Sequence, residues 1–263
     1  MEYLVWNLDP VMFTIMGIKI QWYGVLFATA ITTGFLVMKR IYALEGLNPD
    51  SLDDLLIYSV IGIVVGARLG HVFFYEPEYY LANPLLIPAI WKGGLASHGG
   101  TVGVVLAMYF YKRKAQLPFI YLLDRLAVGT GIFCFFVRMG NFANSEIVGI
   151  TTDKPWAIIF ERVDMLPRHP AQLYEAIAYL AIFITMWLLY RYSQIKQKQG
   201  ALVGLFLALV FGARYLIEFV KVRQAEFAQE WTMSVGQMLS IPFVLVGLGL
   251  FIAAFMVNAK GNK

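Results

Sequence analysis

The chain has 263 residues, of which 59% are hydrophobic and only 14% charged, with a mean hydropathy of +0.66. Soluble domains carry about 25% charged residues, so this composition excludes an ordinary soluble globular protein. The net charge of +4 comes from basic residues scattered at the ends of apolar runs, not gathered on one face, which excludes a nucleic-acid-binding surface.

A transmembrane helix needs roughly 20 mostly apolar residues. In chain order the sequence predicts seven, over about 20–38, 55–75, 94–111, 118–137, 172–190, 201–220 and 235–257. The runs are continuous, without the alternation of barrel strands. The expected fold class is therefore an all-α integral membrane protein, a bundle of about seven spans forming a single polytopic domain. Segment 1–18 is apolar but broken by Asn7, Asp9 and Pro10, and segment 77–92 combines prolines with tyrosines and a tryptophan. Both are expected to lie at the membrane interface. The N-terminus lacks the basic region, apolar region and cleavage site of a removable signal peptide, so the first span is expected to stay in the mature chain. The one cysteine, Cys134, falls in the fourth span and reads as a small packing residue.

Basic residues orient the spans. Lys39 and Arg40, then Lys112, Arg113 and Lys114, then Arg191, Lys196 and Lys198, and finally Lys260 and Lys263 share one side if there are seven crossings. That side is expected to be cytoplasmic. The C-terminus is then inside, the N-terminus outside, and the connection 138–171 faces outward.

The intramembrane polar residues gather at one depth. Tyr23, Arg68, His71, Ser97, His98, Arg138, Glu175, Arg214 and Glu218 come from six spans, and all are expected in the outer half of the membrane. Ionisable groups at that depth are expensive and mark substrate or ion pathways. The pattern predicts a polar cavity lined by at least three arginines. Planar guanidinium forks suit an anion, and a lipid phosphate is the commonest anion at that depth. Gly62, Gly66 and Gly70, with Gly99 and Gly103, recur every four residues and predict close helix contact.

The densest stretch is Arg138-Met139-Gly140-Asn141-Phe142-Ala143-Asn144-Ser145-Glu146-Ile147-Val148-Gly149. Its Arg-x-Gly-Asn-Phe-x-Asn-x-Glu-x-x-Gly pattern resembles the signature of bacterial prolipoprotein diacylglyceryl transferases. Gly66-Ala67-Arg68-Leu69-Gly70, Gly94-Leu95-x-Ser97-His98-Gly99-Gly100, Arg168-His169-Pro170-x-Gln172-Leu173-Tyr174-Glu175 and Arg214-x-x-x-Glu218-Phe219 are similar to further family motifs, in family order. Trp22-Tyr23-Gly24 resembles the segment carrying a functional tyrosine. The resemblance runs from about residue 8 to residue 255. Two positions depart from it: Val210 stands where some members have tyrosine, and Lys221 where some have arginine.

The resemblance implies an enzyme of the bacterial cytoplasmic membrane, without metal or organic cofactor. It implies transfer of a diacylglyceryl group from phosphatidylglycerol to the lipobox cysteine of prolipoproteins, the first step of lipoprotein maturation, with release of glycerol 1-phosphate. Its implied partners are phosphatidylglycerol, the lipobox-bearing signal peptide and the bilayer itself. Catalytic roles fall on His98, Arg138 and Arg214, and substrate-binding roles on Arg138, Tyr23, Asn141, Glu146, Gly149 and Glu218. Arg138 is expected to hold the headgroup while Asn141 and Glu146 fix its glycerol hydroxyls. Arg214, oriented by Glu218, is expected to bind the departing phosphate. His98 is the candidate thiol base, because imidazole titrates in the right range, with His169 and His71 as weaker candidates. The alternative is an anionic-lipid transporter or flippase, which predicts polar groups at both depths or inverted repeats.

Overall fold

The computed structural model describes residues 2–48, 50–90, 93–223 and 232–260. Its strands are β1 (Leu4–Trp6), β2 (Val11–Ile15), β3 (Ile18–Gln21), β4 (Ile158–Phe160) and β5 (Pro167–Arg168). Its helices are α1 (Trp22–Glu45), α2 (Asp50–Phe74), α3 (Pro77–Ala82), α4 (Ser97–Ala115), α5 (Phe119–Ala143), α6 (Ala171–Tyr192), α7 (Ala201–Ile217) and α8 (Val235–Lys260).

Among the described residues, six helical stretches are long and apolar enough to cross a membrane: Trp22–Glu45, Asp50–Phe74, Phe119–Ala143, Ala171–Tyr192, Ala201–Val220 and Val235–Met256. The chain is thus a multi-pass, mainly helical membrane protein. The seventh expected span, at 94–111, is a helix of 19 residues, α4, but it falls outside that set. Its sequence explains this: Gly99, Gly100, Gly103 and the basic trio Lys112, Arg113 and Lys114 dilute its apolar character.

The two segments read as interfacial have definite structure. Residues 11–21 are a β-hairpin, β2 against β3, in which Ile15 faces Ile18. Met16 and Gly17 at its tip both take positive φ, 49° and 82°, the geometry of a two-residue turn matched to strand twist. The hairpin runs straight into α1, whose Trp22 N–H donates to the Pro10 carbonyl. Segment 77–92 holds α3 and a 3-10 turn at Pro84–Leu86; Trp91 and Lys92 lie outside the described residues.

The chain forms two compact units, Met1–Val37 with Asp124–Lys263, and Met38–Leu123. In the second, α2 packs on α4 through the predicted glycines. A Cβ added at Gly70 would stand 2.7 Å from the Gly99 Cα, and one at Gly62 would stand 2.8 Å from the Ala107 Cβ. Without side chains at these positions the two backbones come into direct contact.

In the first unit, α7 and α8 meet at another glycine pair, Gly204 and Gly247. Buried Asp124 on α5 accepts the Gly200 and Val203 amides at 2.8 and 2.9 Å, capping the start of α7. The connection 138–171 is a small packed body in its own right. Strand β4 lies parallel to β1 and antiparallel to β5. Phe142, Val148, Ile158 and Phe160 form its core, flanked by Trp6 and Leu173. Trp6 donates its indole N–H to the Phe142 carbonyl at 3.0 Å, which ties this core to the end of α5.

Candidate functional site

The polar signature begins inside α5, which continues six residues beyond the end of the predicted span and so carries Arg138 and Asn141 on one helix face. Arg138 Nη1 donates to Asn141 Oδ1 at 3.1 Å, and Asn141 Nδ2 donates to Glu146 Oε2 at 3.1 Å. Asn144 Nδ2 donates to the other oxygen, Glu146 Oε1, at 3.0 Å. The Asn141 amide therefore has a donor on one side and an acceptor on the other, which fixes its orientation.

Glu146 itself is solvent-exposed, between two residues in the left-handed region, Ser145 (φ 57°) and Ile147 (φ 56°). That conformation is strained for a β-branched residue and persists only where its surroundings impose it. Here the Glu146 amide donates to the Asn141 carbonyl at 2.9 Å, and the fully buried Gln172 donates to the Glu146 carbonyl.

Behind Arg138 stands a carboxylate that water does not reach. Glu175, on α6 and 0% exposed, places Oε2 2.9 Å from Arg138 Nε. Oε2 accepts no aligned hydrogen bond, so this contact is chiefly Coulombic. Lys221 Nζ lies 3.4 Å from Glu175 Oε1 and 3.0 Å from Glu218 Oε2. Two cations, Arg138 and Lys221, are thus balanced by two anions, Glu175 and Glu218.

Arg214, on α7, is outside this balance. Among the described residues it forms no hydrogen bond or ion pair, and its Nε is buried without a partner. It is within electrostatic reach of the buried Tyr179, which Arg138 and Glu175 also approach. The expected orientation of Arg214 by Glu218 is not what the structure shows. The Glu218 carboxylate is taken by Lys221 and lies against Gly236 in the first turn of α8, where a Cβ would collide with it.

Gly149 is a packing point more than an open surface. Its N–H donates to the His169 carbonyl at 2.9 Å, and its carbonyl accepts from Arg168 Nη1 at 3.1 Å. It also bridges to Lys221 as an isolated β-pair, flanked by Ile150 N–H to the Val220 carbonyl at 2.9 Å. A Cβ at Gly149 would stand 2.5 Å from the His169 Cβ and 2.6 Å from the Val220 carbonyl oxygen. Only glycine fits between these two segments.

Beside it, Trp156 donates to the Tyr174 hydroxyl at 2.7 Å, and that hydroxyl meets His169 Nδ1 at 3.0 Å. Partial burial and the neighbouring Lys154 hold the His169 pKa below its usual value, keeping the ring neutral. Arg168 pairs with Asp164, whose carboxyl pKa is lowered mainly by that hydrogen bond.

Tyr23 joins this unit at the start of α1. Its ring packs where Gly140 has no side chain, since a Cβ there would come within 2.9 Å of the ring. The tyrosine lies within electrostatic reach of Glu146 and Arg138. Tyr23, Arg138, Asn141, Glu146, Gly149, Arg214 and Glu218 thus belong to one compact unit, Met1–Val37 with Asp124–Lys263. His98 belongs to the other, exposed in the first turn of α4.

Arg68 does not serve as an anion-binding arginine. It is 3% exposed, and its guanidinium donates to the carbonyls of Leu86 (2.7 Å), Ile87 (2.6 Å), Gly93 (2.6 Å) and Gly94 (3.2 Å) while lying over the Tyr80 ring. It ties Leu86 and Ile87 to Gly93 and Gly94. His71 stacks on Tyr75 and sits 3.8 Å from Glu76 in the same region. The residues that sequence reasoning left unassigned are Glu175, Lys221 and Gln172. Gln172 and Glu175 stood inside a recognised motif, and Lys221 was visible as a departure from the family pattern.

A family model described as prolipoprotein diacylglyceryl transferase matches residues 10–253. The chain is 50% identical to a phosphatidylglycerol–prolipoprotein diacylglyceryl transferase of Tolumonas auensis, over 98% of this chain and 100% of that one. It is 46% identical to a protein of the same name from Chloroherpeton thalassium, over 94% and 92% of the two chains, and 43% identical to one from Porphyromonas gingivalis, over 96% and 95%.

Proposed function

Because the chain belongs to the prolipoprotein diacylglyceryl transferase family, we propose that it transfers the diacylglyceryl group of phosphatidylglycerol to the lipobox cysteine thiol of prolipoproteins. We place it in the bacterial cytoplasmic membrane as one polytopic domain, with the N-terminus outside, the C-terminus in the cytoplasm and the 138–171 connection facing outward.

In this reaction the cysteine sulfur attacks the diacylglycerol carbon bonded to the phosphate oxygen. A carbon–sulfur bond forms as the carbon–oxygen bond breaks. Glycerol 1-phosphate leaves with the electron pair, and the thiol proton passes to a base. The enzyme has two tasks. A thiol of pKa about 8.5 has to be deprotonated, and negative charge growing on the leaving phosphate has to be met by donors already in place.

The single observation that carries the reading is Arg214, without a hydrogen bond or ion pair among the described residues, beside a charge-balanced quartet. Arg214 is half-buried, with its Nε enclosed and unpartnered, and a phosphodiester supplies an anion in the geometry that arginine's fork fits. Arg138, held from behind by Glu175, presents the Asn141–Glu146 relay, whose donors and acceptors suit glycerol hydroxyls. Assignment of the thiol proton to His98 rests on the motif resemblance and on the range in which imidazole titrates.

The test is a reaction of purified protein in detergent with phosphatidylglycerol and a synthetic lipobox peptide, followed by mass spectrometry. The reading predicts a diacylglyceryl adduct on the cysteine, equimolar release of glycerol phosphate, and loss of both in Arg138→Ala. Phosphatidylglycerol binding without any adduct would refute it in favour of an anionic-lipid carrier.

A further inference from the structure

On a regular α-helix, Arg214 and Glu218 are four residues apart on one face and would form an intrahelical ion pair. In this structure they do not. Glu218 keeps helical backbone, its N–H donating to the Arg214 carbonyl, so the two remain on one face; from Glu218 to Val220 the chain then tightens into a 3-10 turn. A 3-10 turn has about three residues per turn, so it aligns residue i with i+3 instead of i+4. The residue three beyond Glu218 is Lys221, and its Nζ lies 3.0 Å from Glu218 Oε2.

Lys221 is fixed in that position from several directions. It is 6% exposed. Its backbone pairs with Gly149, and on either side Ile150 N–H donates to the Val220 carbonyl and Val222 N–H to the Val148 carbonyl. Its ammonium also reaches Glu175 Oε1 at 3.4 Å. An ammonium spreads three donors around a point charge and can serve two carboxylates at once.

We infer that Lys221 is a positioning residue for the transfer reaction: by occupying the Glu218 carboxylate it keeps the Arg214 guanidinium open to the lipid phosphate. Without Lys221, Glu218 is the carboxylate nearest in sequence to Arg214, and an incoming phosphodiester has to displace it. The residue also couples the two halves of the site. Its main chain braces Gly149, at the end of the Arg138–Glu146 segment, while its side chain sets the state of Arg214.

The inference rests on the transferase reading, and the experiment separates the two. Adduct formation is measured in detergent across a range of phosphatidylglycerol at saturating lipobox peptide, and then across peptide at saturating lipid. Binding of phosphatidylglycerol alone is measured in parallel. An inactive wild-type protein would refute the transferase reading. With an active wild type, Lys221→Met is expected to raise the KM for lipid and weaken lipid binding about tenfold or more, the size of a charge-assisted hydrogen bond. The KM for peptide stays unchanged. The double variant Lys221→Met/Glu218→Gln is expected to recover most of the lipid KM, since a neutral amide does not sequester Arg214. A merely structural lysine would not be rescued by removing its partner. An unchanged lipid KM in Lys221→Met, or no recovery in the double variant, would overturn the inference. Should Lys221→Met fail to fold, Lys221→Arg carries the test. A guanidinium there still takes Glu218, so the lipid KM stays near wild type, and a rise as large as that expected for methionine would overturn the role.

Discussion

Arg138 on α5 and Glu175 on α6 face each other at 2.9 Å, with the carboxylate fully buried and the guanidinium's other edge turned to Asn141. The arginine is clamped before any ligand arrives. Its Nε side is held from behind, while Nη1 is directed at the polar segment. Preorganisation of this kind lets donors meet developing charge without reorganising during the reaction.

Replacing Arg138 by lysine keeps the charge and removes the fork. An ammonium can stay with Glu175 or reach Asn141, but not both in the same plane. The expected result is a loss of about 10² in kcat/KM, the scale of one missing preorganised donor. Adduct formation measured at low lipid checks it, and full activity would remove Arg138 from the mechanism.

Glu175→Ala removes the carboxylate that Arg138 and Lys221 share, and leaves Glu218 paired with Lys221 alone. Breaking a buried pair by deleting one partner costs about 3–5 kcal/mol. The variant should therefore show a clear drop in thermal stability in detergent, in addition to lost activity. Glu175→Gln should lose less stability, because the amide still fills the space.

Gly149→Ala tests packing, not chemistry. The added methyl would press on the His169 Cβ and the Val220 carbonyl. The backbone pairing of 148–150 with 220–222 would open, displacing Lys221 and Glu146 together. We expect a large loss of activity and faster hydrogen exchange at the Ile150 and Val222 amides. An active, equally protected Gly149→Ala protein would show that the paired segments accommodate the methyl without opening.

The 150–170 segment should loosen in acid in two steps. His169 has a depressed pKa in the folded chain, so its contribution is present above the usual 6.5 and is lost as pH falls through the lower folded value. Asp164 is also depressed, so its pairing with Arg168 persists above the usual 3.8 and is lost only as pH falls below that. Backbone hydrogen exchange across this segment should be flat from pH 7 to pH 9 after correction for intrinsic rates. The first loosening should begin below 6.5 and disappear in His169→Gln.

Much of this site was legible because it is local. Arg138, Asn141, Asn144 and Glu146 lie within nine residues, and their types alone mark a polar segment at a span end. The glycine seam of α2 and α4 followed from four-residue spacing. What escaped depends on long-range return of the chain. Glu175 and Lys221 are 46 residues apart, and nothing local indicates that 220–222 comes back beside 148–150. The end of α5 was placed too early because polarity at Arg138 resembles a span end, although no helix breaker precedes Ala143 except Gly140, which makes room for the Tyr23 ring. The hairpin at 11–21 was missed because Met16-Gly17 is a weak turn signal beside Asn-Gly or Asp-Gly. Arg68 was grouped with the anion-binding arginines by depth alone. Only the placement of Leu86, Ile87 and Gly93 shows that carbonyls occupy it.

The account turns on Arg214 as the cation left for the lipid phosphate. The most direct measurement is the dissociation constant of phosphatidylglycerol for wild type and Arg214→Ala in the same detergent, with diacylglyceryl adduct formation followed in the same samples. Lipid affinity and adduct formation should fall together in the variant, while the folded state persists because Arg214 holds no hydrogen bond or ion pair among the described residues. Wild-type affinity and transfer in Arg214→Ala would contradict it.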